Sequence, residues 1–353
     1  NQFYCPYLRL KKLTMAAVDK LRVGTRGSPL ALTQTNQVIS ILKEHHAVLC
    51  ENGAVDTIVI KTTGDREQSR LLSEIGGKGL FTKELDEAML RNEIDIAIHS
   101  MKDMPTFMPD GIVLHAITER IDPRDAFIST KAKTIAELPQ GAVVGTASLR
   151  RKSQILNMRP DLKVVPFRGN VETRISKLEA GDVNATLLAF AGLIRLGKQD
   201  AVTSLIEIDQ VLPAVGQGVL AATCREEDLR ANAMIASLSH PPTTVAVLAE
   251  RAMLAVLDGS CQTPIAGLAH LDGTGKLDLR GIIARPDGVE KAEVELSGLA
   301  SEAELLGTQV AEKLLIEAGP SILDAIKASG PDIIHPHPEM EHPENMKENQ
   351  QED

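Results

Sequence analysis

The sequence predicts an α/β protein made of two similar units followed by a smaller α+β unit. In two successive stretches, short β-branched apolar runs alternate with longer amphipathic runs, which is typical of parallel strands covered by helices. After residue 240 the pattern changes to one helix, three strands joined by turn-rich segments, and a closing helix. The 353 residues are enough for two or three domains.

The first unit begins at residue 21. Its first predicted helix is capped by Ser28 and has Pro29 in its first position, and its second helix is opened by Thr82. The predicted elements are a strand at 21–25, a helix at 28–46, a strand at 55–64, a helix at 81–93 and a strand at 94–100.

The second unit occupies about 125–210, after a connection that includes DPRDAFIST. Its predicted elements are a strand at 141–146, a helix at 148–158, a strand at 163–167, a helix at 171–181 and a strand at 185–190, with one more strand within 211–226. The last unit has a helix at 245–257, strands at 264–271, 276–284 and 290–298, and a helix at 301–319.

Composition and charge exclude several classes of protein. No window is apolar for long enough to span a membrane, and the N-terminal residues do not form a secretory signal. Met15 is a candidate for the natural first residue of the protein. A short segment that targets the protein to an organelle is also compatible with the sequence. The four cysteines lie far apart, which fits free thiols in a reducing compartment. A net charge of -10 and the absence of tryptophan argue against nucleic-acid binding.

Basic residues of this acidic chain gather where the predicted strands end. In open α/β sheets, ligands bind beyond the carboxyl ends of the strands, beside helix N-termini. A single arginine there is most simply explained as an exposed surface charge. A set of arginines opposes the helix dipoles and predicts a small ligand with several negative groups. The residues at these ends are Arg26, Ser28, Lys102, Asp103, Ser148, Arg150, Arg151, Arg168, Arg174 and Arg195.

Asp103 is the conspicuous carboxylate of this basic cleft, within HSMKDMPT. One interpretation is structural: it pairs with Lys102 or caps a turn. The functional interpretation is a carboxylate that stabilises a transient cation and moves protons, tuned by the neighbouring lysine. We interpret His99 as a structural residue rather than as the acid.

Cys261 stands in the loop segment LDGSCQTP, with no cysteine nearby to pair with. A small buried hydrophobe is one interpretation, but the flexible setting favours an accessible thiolate that carries a covalent group. The glycine-rich segments IGGKGLFT and AVGQGVLA match neither a P-loop nor a dinucleotide fingerprint. They are interpreted as a mobile loop around Lys78 and a close-packed crossing near 213–218. Neither these motifs nor the cysteine spacing predicts a metal.

Two other functions stay open from the residues alone. A solute-binding module would also have two α/β lobes around an arginine-lined cleft, but it should carry an export signal or a fused DNA-binding or membrane segment, and none is evident. An aminotransferase-like or nucleotide-dependent enzyme lacks an identifiable cofactor motif.

The chain closely resembles the porphobilinogen deaminase, or hydroxymethylbilane synthase, family from about residue 21 to 325. The one departure noted within the shared segments is Ala147, where the family commonly has serine. The shared segments are VGTRGSPLAL, KTTGD, GGKGLFTKELDEAML, HSMKDMPT, GTASLRRKSQIL, FRGNVETR, AVGQG and ERAMLAVLDGSCQTPIAG.

This resemblance implies a transferase of tetrapyrrole biosynthesis, the route to heme and chlorophyll. It would join four porphobilinogen molecules head to tail with loss of ammonia, and then release hydroxymethylbilane by hydrolysis. Cys261 would carry the dipyrromethane cofactor through a thioether. The resemblance also implies a cytoplasmic monomer that works without metal, nucleotide, nucleic acid or membrane.

Catalytic roles carried over from the family fall on Asp103, which would stabilise the azafulvene cation and move protons, and on Lys102. Gln217 would lie at the crossing between domains, and the loop around Lys78 would be a lid. The residues implied to hold the cofactor are Cys261, Arg26, Ser28, Lys102, Asp103, Ser148, Arg150, Arg151, Arg174 and Gln217. Those implied to hold substrate are Arg26, Arg168, Arg174 and Arg195.

The resemblance further implies two doubly wound domains like those of type II periplasmic binding proteins. A small α+β domain with a three-stranded antiparallel sheet would follow and carry the cofactor. The expected boundaries are an N-terminal extension at 1–20, domain 1 at 21–120 and 216–240, domain 2 at 121–215, domain 3 at 241–335, and a disordered, acidic tail at 336–353.

Overall fold

The computed structural model describes residues 20–66, 79–257 and 263–329. The predictions for Lys78, Cys261, residues 1–19 and the acidic tail therefore lie outside the described residues. The strands are β1 (Leu21–Arg26), β2 (Val55–Ile60), β3 (Ile96–Ser100), β4 (Ile112–Ile117), β5 (Asp125–Ser129), β6 (Val143–Gly145), β7 (Lys163–Val165), β8 (Ala185–Ala189), β9 (Ser204–Ile206), β10 (Leu220–Arg225), β11 (Ile265–Leu271), β12 (Lys276–Ala284) and β13 (Lys291–Leu299).

Helices alternate with these strands through both α/β units. No helix in the described part of the chain is long and apolar enough to cross a membrane. The helices are α1 (Pro29–His45), α2 (Thr63–Arg66), α3 (Lys83–Leu90), α4 (Leu149–Met158), α5 (Val171–Glu179), α6 (Phe190–Arg195), α7 (Leu229–Ile235), α8 (Pro241–Val256) and α9 (Ala303–Ala328).

The first sheet has the strand order β2-β1-β3-β10-β4. Strand β1 runs parallel to β2 and β3, whereas β10 is antiparallel to both of its neighbours. The chain thus returns from the second unit to insert β10 beside β3, where Leu220 pairs with Ser100. As a result, the residues just before β10 lie next to the residues that follow β3.

The second sheet has the strand order β7-β6-β8-β5-β9. Strand β6 is parallel to β7 and β8, and β5 is antiparallel to β8 and β9. Each α/β unit therefore adds one reversed strand to the parallel strands that the sequence predicts. With the antiparallel third sheet described below, this confirms the predicted fold class.

Three strands, β4, β5 and β9, were not predicted from the sequence. Strand β5 was assigned to a connection because it begins with a charged residue, Asp125, yet that residue is fully buried. Strand β4 breaks the apolar pattern with the exposed His115, and β9 has three residues only. Tertiary pairing, rather than local pattern, makes these segments strands.

The predicted helix cap at Ser28 is confirmed, and the structure shows a second cap, at Ser148, that was not predicted. Ser28 Oγ accepts a hydrogen bond from the Ala31 amide at 3.2 Å at the start of α1. Ser148 Oγ accepts one from the Arg151 amide at 3.4 Å at the start of α4. Thr82 occupies the N-cap position of α3 but makes no capping hydrogen bond through its side chain.

The third sheet is the predicted antiparallel meander, with the order β11-β12-β13. Helices α8 and α9 cover one face of it, and their buried residues share one apolar cluster with the strands, including Met253 and Leu314. Helix α8 begins at Pro241, earlier than predicted, because the His240 side chain accepts from the Thr243 amide and caps the helix there. Helix α9 is kinked at Gly319.

The chain crosses back to the first sheet through AVGQG, and its two glycines are tightly enclosed. Gly216 and Gly218 have positive φ angles of 70° and 90°. A Cβ atom at Gly216 would lie 2.6 Å from Met101 Cγ, and one at Gly218 would overlap the carbonyl oxygen of Ile121. Only glycine suits both the conformation and the space, so the predicted close-packed crossing is confirmed.

Candidate active site

A short 3-10 turn, Met101–Asp103, follows β3 and carries the two predicted catalytic residues. The Met101 amide donates to the Val219 carbonyl at 3.0 Å, which joins the turn to the crossing segment. Met101 and Met104 are buried on either side, whereas Lys102 and Asp103 are half-buried. Within the described residues, neither charged side chain makes a hydrogen bond or an ion pair. The structural interpretation of Asp103, a pair with Lys102 or a turn cap, therefore has no support in the contacts.

Lys102 lies among the charged groups that the sequence assigned to the cleft. Burial lowers its pKa to about 8, and the charges of Arg151 and Arg150 lower it as well, while Asp103 and Asp125 raise it. Lys102 and Asp103 follow β3 of the first unit, whereas Asp125, Arg150 and Arg151 belong to β5 and α4 of the second unit. The two units therefore face each other here. The pKa of the Lys102 ammonium group is therefore set by partial desolvation and by charges from both α/β units.

Asp125 joins three of the predicted site residues beneath the cleft. Arg151 donates through Nη2 to Asp125 Oδ1 at 2.7 Å, and Arg150 donates through Nη2 to Oδ2 at 2.9 Å. Gln217 Nε2 donates to Asp125 Oδ1 at 2.9 Å. Burial alone would raise the pKa of Asp125, but the two guanidinium groups hold it well below its usual range.

Both arginines are also anchored by backbone carbonyls. Arg150 Nη1 donates to the Leu212 carbonyl at 2.8 Å, and Arg151 Nη1 donates to the Leu187 carbonyl at 3.1 Å. Their exposed fractions are 5% and 6%. The two side chains are therefore fixed parts of the cleft floor, and their charges are shared with Asp125.

Arg195 lines a crevice between the two α/β units. Its Nη2 donates to the Gly218 carbonyl at 2.9 Å, while its buried Nε has no hydrogen-bond partner in the described part of the chain. Burial lowers its pKa to about 10. The crevice is open to solvent on one side, and it is lined by Leu30, Gln34, Ser100, Lys102, Ala189, Ala191, Gly192, Arg195, Gly216, Gly218 and Val219.

Arg26 is already paired with a carboxylate. Its Nε and Nη2 donate to the two carboxylate oxygens of Asp65 at 3.1 and 2.5 Å, and Thr62 Oγ1 donates to the same carboxylate at 2.8 Å. The guanidinium carbon also lies 4.2 Å from the centre of the Phe81 ring. A substrate carboxylate that binds Arg26 would either share the guanidinium group with Asp65 or displace the Asp65 carboxylate from it.

Arg174 and Arg168 belong to the second unit. Burial, and then the charge of Arg151, lower the pKa of Arg174 to about 10, so Arg174 belongs to the cluster under the cleft. Arg168 is half-buried in the loop before α5, where its carbonyl accepts from Lys177 Nζ at 3.5 Å. No contact described here connects Arg168 with Lys102 or Asp103.

His99 is buried one residue before the end of β3. Its Nε2 lies 3.2 Å from Thr223 Oγ1, and burial, aided by the charge of Arg26, lowers its pKa to about 4. A neutral imidazole held between two strands fits the structural role that the sequence indicated for it.

Cys261 and Gln262 fall in the gap between Leu257 and Thr263, so the attachment prediction itself is not described. The residues that bound this gap are buried, with exposed fractions of 2% for Leu257 and 3% for Thr263. Both ends of the segment that contains Cys261 are therefore fixed in the third unit.

Several residues that organise the site were missed from the sequence. Asp65 and Asp125 each neutralise predicted arginines, and Glu250 binds the crossing segment through the Gly216 amide at 2.7 Å. Asp65 belongs to the shared segment KTTGD and lies in α2, but the sequence alone does not reveal that its partner is Arg26. The role of Asp125 was not predicted, because the strand that it begins, β5, was not predicted either.

The described residues fit a ligand that carries several carboxylates. Arg195 leaves a buried donor without an acceptor, and Asp103 and Lys102 have no protein partner among the described residues. An unpaired buried N–H costs free energy, so an acceptor is expected there when the cleft is filled. Carboxylates of a dipyrromethane would supply such acceptors.

Two sequence profiles match the chain. One is described as "Porphobilinogen deaminase, dipyromethane cofactor binding domain" and matches residues 21–233. The other is described as "Porphobilinogen deaminase, C-terminal domain" and matches residues 244–316.

Curated relatives agree with these profiles over most of the chain. It is similar to the chloroplastic porphobilinogen deaminase of Oryza sativa subsp. japonica, with 49% identity over 88% of each chain. It is 50% identical to that of Pisum sativum, over 86% of this chain and 84% of the relative. It is 52% identical to porphobilinogen deaminase of Paracoccus denitrificans, over 84% of this chain and 94% of the relative.

A solved periplasmic substrate-binding protein of an ABC transporter from Coxiella burnetii is also similar, with a TM-score of 0.38, 16% identity, and coverage of 62% of this chain and 91% of that one. The matched profiles and the relatives together span both α/β units and the third sheet. The chain belongs to the porphobilinogen deaminase family.

Proposed function

We propose that the chain catalyses the deaminative, head-to-tail joining of four porphobilinogen molecules and the hydrolytic release of hydroxymethylbilane. The observation that carries this proposal is the Lys102–Asp103 turn, which faces a cleft floored by Arg150 and Arg151 and whose two charged side chains make no hydrogen bond or ion pair with any other residue that the structure describes. A polyanionic substrate with a cationic intermediate needs both features: fixed positive charge for its carboxylates and one free carboxylate at the reacting carbon.

A dipyrromethane attached through Cys261 would supply the pyrrole to which each new unit is added. The protein groups that we propose to hold it are the ones predicted from the family pattern: Cys261, Arg26, Ser28, Lys102, Asp103, Ser148, Arg150, Arg151, Arg174 and Gln217. Ser28 and Ser148 contribute through the helix N-termini that they cap, where further amide groups point outward. No donor within the described ranges reaches the buried Oε1 of Gln217.

Asp103 performs the central step on the substrate. When the C–N bond of the protonated aminomethyl group breaks, neutral ammonia leaves with the bonding electrons and the substrate carbon becomes cationic. The Asp103 carboxylate lowers the energy of that cation. Formation of the new C–C bond at a pyrrole α-carbon then releases one proton, which Asp103 accepts. Release would break the C–C bond that joins the four-unit chain to the dipyrromethane, with a proton given to the pyrrole α-carbon that is left behind. Water would then add to the cationic methylene carbon of the departing chain and lose one proton, which gives hydroxymethylbilane.

Lys102 and the substrate-binding arginines position the reacting unit. Arg195 offers its unpaired Nε to a carboxylate in the crevice, beside the ammonium of Lys102. Arg26, Arg168 and Arg174 are proposed to bind the remaining carboxylates, with Arg26 exchanging Asp65 for substrate. Binding by several charged groups holds the unit near the attacking carbon and reduces the entropic part of the barrier.

The proposed domains are 21–120 with 216–240, 121–215, and 241–335, so that the reaction takes place between the first two while the third holds the attachment loop. We also propose that the enzyme acts as a monomer in the cytoplasm, without nucleic acid, membrane or metal. Its plant relatives are named as chloroplastic, so an organelle is the alternative compartment.

The test compares the purified wild-type chain with Cys261→Ser and Asp103→Ala. Intact mass of the wild type should exceed the sequence mass by one dipyrromethane, and porphobilinogen should yield ammonia and hydroxymethylbilane. Cys261→Ser should have the plain sequence mass, and Asp103→Ala should keep the added mass but lose turnover by roughly a factor of a hundred or more.

A solute-binding module would give a different pattern. Its wild-type mass would equal the sequence mass, and porphobilinogen would bind without release of ammonia. That result would overturn the proposal, as would normal turnover by Asp103→Ala.

A further inference from the structure

Helix α8 presents one face to the turn that carries Lys102 and Asp103. Val247 is fully buried in an apolar cluster with Met101 and Met104, the two methionines that flank the catalytic pair. Arg251 is one helical turn further along the same face. The same helix leads directly into the segment that contains Cys261.

Arg251 binds the backbone that follows Asp103. Its Nη2 donates to the Thr106 carbonyl at 2.7 Å and to the Pro105 carbonyl at 3.1 Å. Burial lowers the pKa of Arg251, and within the described residues no acidic side chain compensates its charge. Among the described residues, this half-buried arginine donates to two carbonyls and to no carboxylate, an arrangement that costs free energy and is not needed for packing alone.

The neighbouring Glu250 fixes the helix from another side. Its Oε1 accepts from the Ala269 amide at 2.9 Å and from Arg120 Nη2 at 2.6 Å, and its Oε2 accepts from the Gly216 amide at 2.7 Å. Helix α8 is thus bound to the third sheet and to the crossing segment. It is a rigid support against which the Asp103 turn can be held.

We propose that Arg251 is a positioning residue, which holds the Met101–Asp103 turn against α8 and so fixes the place of Asp103 in the cleft. The inference rests on the proposed function, because it assigns Arg251 to the reaction of Asp103. Arg251 acts through the Pro105 and Thr106 carbonyls and does not touch substrate. Its loss should therefore change the chemical step more than substrate binding.

The experiment compares the intact, cofactor-loaded chain with Arg251→Met, Arg251→Lys and a control, Met253→Ala. Met253 lies on the same helix but is buried in the core of the third unit, so its truncation lowers stability without touching the Asp103 turn. Four quantities are measured: intact mass, thermal midpoint, steady-state kcat and KM for porphobilinogen, and hydrogen exchange of the amides of residues 101–106.

Arg251→Met should retain the cofactor mass and KM within about threefold, lose kcat by roughly ten- to a hundredfold, and exchange faster at residues 101–106. Arg251→Lys, which keeps one donor and the charge, should recover part of kcat. Met253→Ala should lower the thermal midpoint at least as much but keep kcat and the exchange of residues 101–106.

Unchanged exchange at residues 101–106 in Arg251→Met would overturn the inference, even if kcat fell. Equal losses of kcat in Arg251→Met and Met253→Ala would also overturn it, because general destabilisation would then explain both. If the wild-type chain releases no ammonia from porphobilinogen, the proposed function fails, and the exchange measurement alone still decides whether Arg251 holds the turn.

Discussion

Lys102 carries its charge at a position where burial favours the neutral amine. The pKa of a solvated lysine is about 10.4, well above physiological pH. Burial, with the nearby charges of Arg151 and Arg150, brings the pKa of Lys102 to about 8 despite the opposing effect of Asp103 and Asp125. Above this pH the free cleft therefore loses a positive charge from the place where substrate carboxylates are proposed to bind.

We expect kcat/KM for porphobilinogen to fall as the pH rises through about 8, because kcat/KM reports the ionisation of the free enzyme. Lys102→Arg keeps a positive charge, since a guanidinium does not lose its proton in this range. Its profile should therefore stay level near pH 8. The measurement is the initial rate at low substrate concentration across this range. The same fall in Lys102→Arg would show that another group is responsible.

At the scale of single residues, the sequence predicted a cluster of charged residues at the strand ends but not the ion pairs within it. Lys102, Asp103 and Ser148 could be placed because each follows a predicted strand, and the carboxyl ends of strands meet at one edge of a sheet. The partners Asp65 and Asp125 could not, because an ion pair depends on side-chain directions in three dimensions. The arginines were thus expected to be available for ligands, whereas Arg26, Arg150 and Arg151 already bind carboxylates.

At the scale of elements, the strand β5 and the helix α4 are joined by a buried charge cluster. Asp125 begins β5 and is fully buried, and it neutralises Arg150 and Arg151 in the first turn of α4. Two cations near a helix N-terminus oppose the helix dipole, so this carboxylate stabilises the helix start as well. Because the Asp125 carboxylate pairs with both Arg150 and Arg151, it fixes the positions of the two side chains that form the cleft floor.

Asp125→Asn should therefore destabilise the chain strongly. It leaves two buried guanidinium groups without their counter-ion, a change that costs about 3–5 kcal/mol when one partner of a buried pair is removed. The free energy of unfolding from urea titration measures it. Asp287→Asn is the matched control, because Asp287 pairs with Arg285 at 2.9 Å on the surface and is half exposed. A loss no larger than that of the control would contradict a structural role for the Asp125 cluster.

Helices and strands with a clear periodicity of apolar residues could be predicted from the sequence. Strands that form only because they pair with distant strands could not. Helix α1, with Ser28 and Pro29 at its start, has local signals for both its pattern and its cap. Strand β5 has none, since its leading aspartate reads as part of a polar connection. Its strand conformation depends on β8 and β9, which lie about sixty residues or more further along the chain.

At the scale of the whole molecule, the third unit is attached to both of the others. Helix α8 binds the Asp103 turn and the crossing segment, while the turn between β12 and β13 packs on α4 of the second unit. Arg280 of β12 also pairs with Asp209 at 2.5 Å. The meander itself was predictable from its turns, but these attachments were not, because surface residues of a hairpin do not reveal what they contact.

Gly288 forms the closest part of this attachment. Its carbonyl accepts from Asn157 Nδ2 at 2.9 Å, and a Cβ atom there would lie 2.5 Å from Leu156 Cβ and 2.7 Å from the Ser153 carbonyl oxygen. Its φ of 76° is also unfavourable for other residues. Helix α4 begins with Ser148 and the two arginines of the cleft floor, so a displaced turn would press on the element that carries them.

Gly288→Ala is therefore expected to lower the free energy of unfolding by about 1–3 kcal/mol, from the clash and the backbone conformation together. Hydrogen exchange along Leu149–Met158 should become faster, because the added methyl group pushes against the backbone of α4. Gly273→Ala is the control: it lies in the turn between β11 and β12 of the same sheet, where a Cβ atom would meet nothing within 4 Å. Equal stability and exchange in both variants would show that the turn does not hold α4, and that the third unit is attached to the second through other contacts.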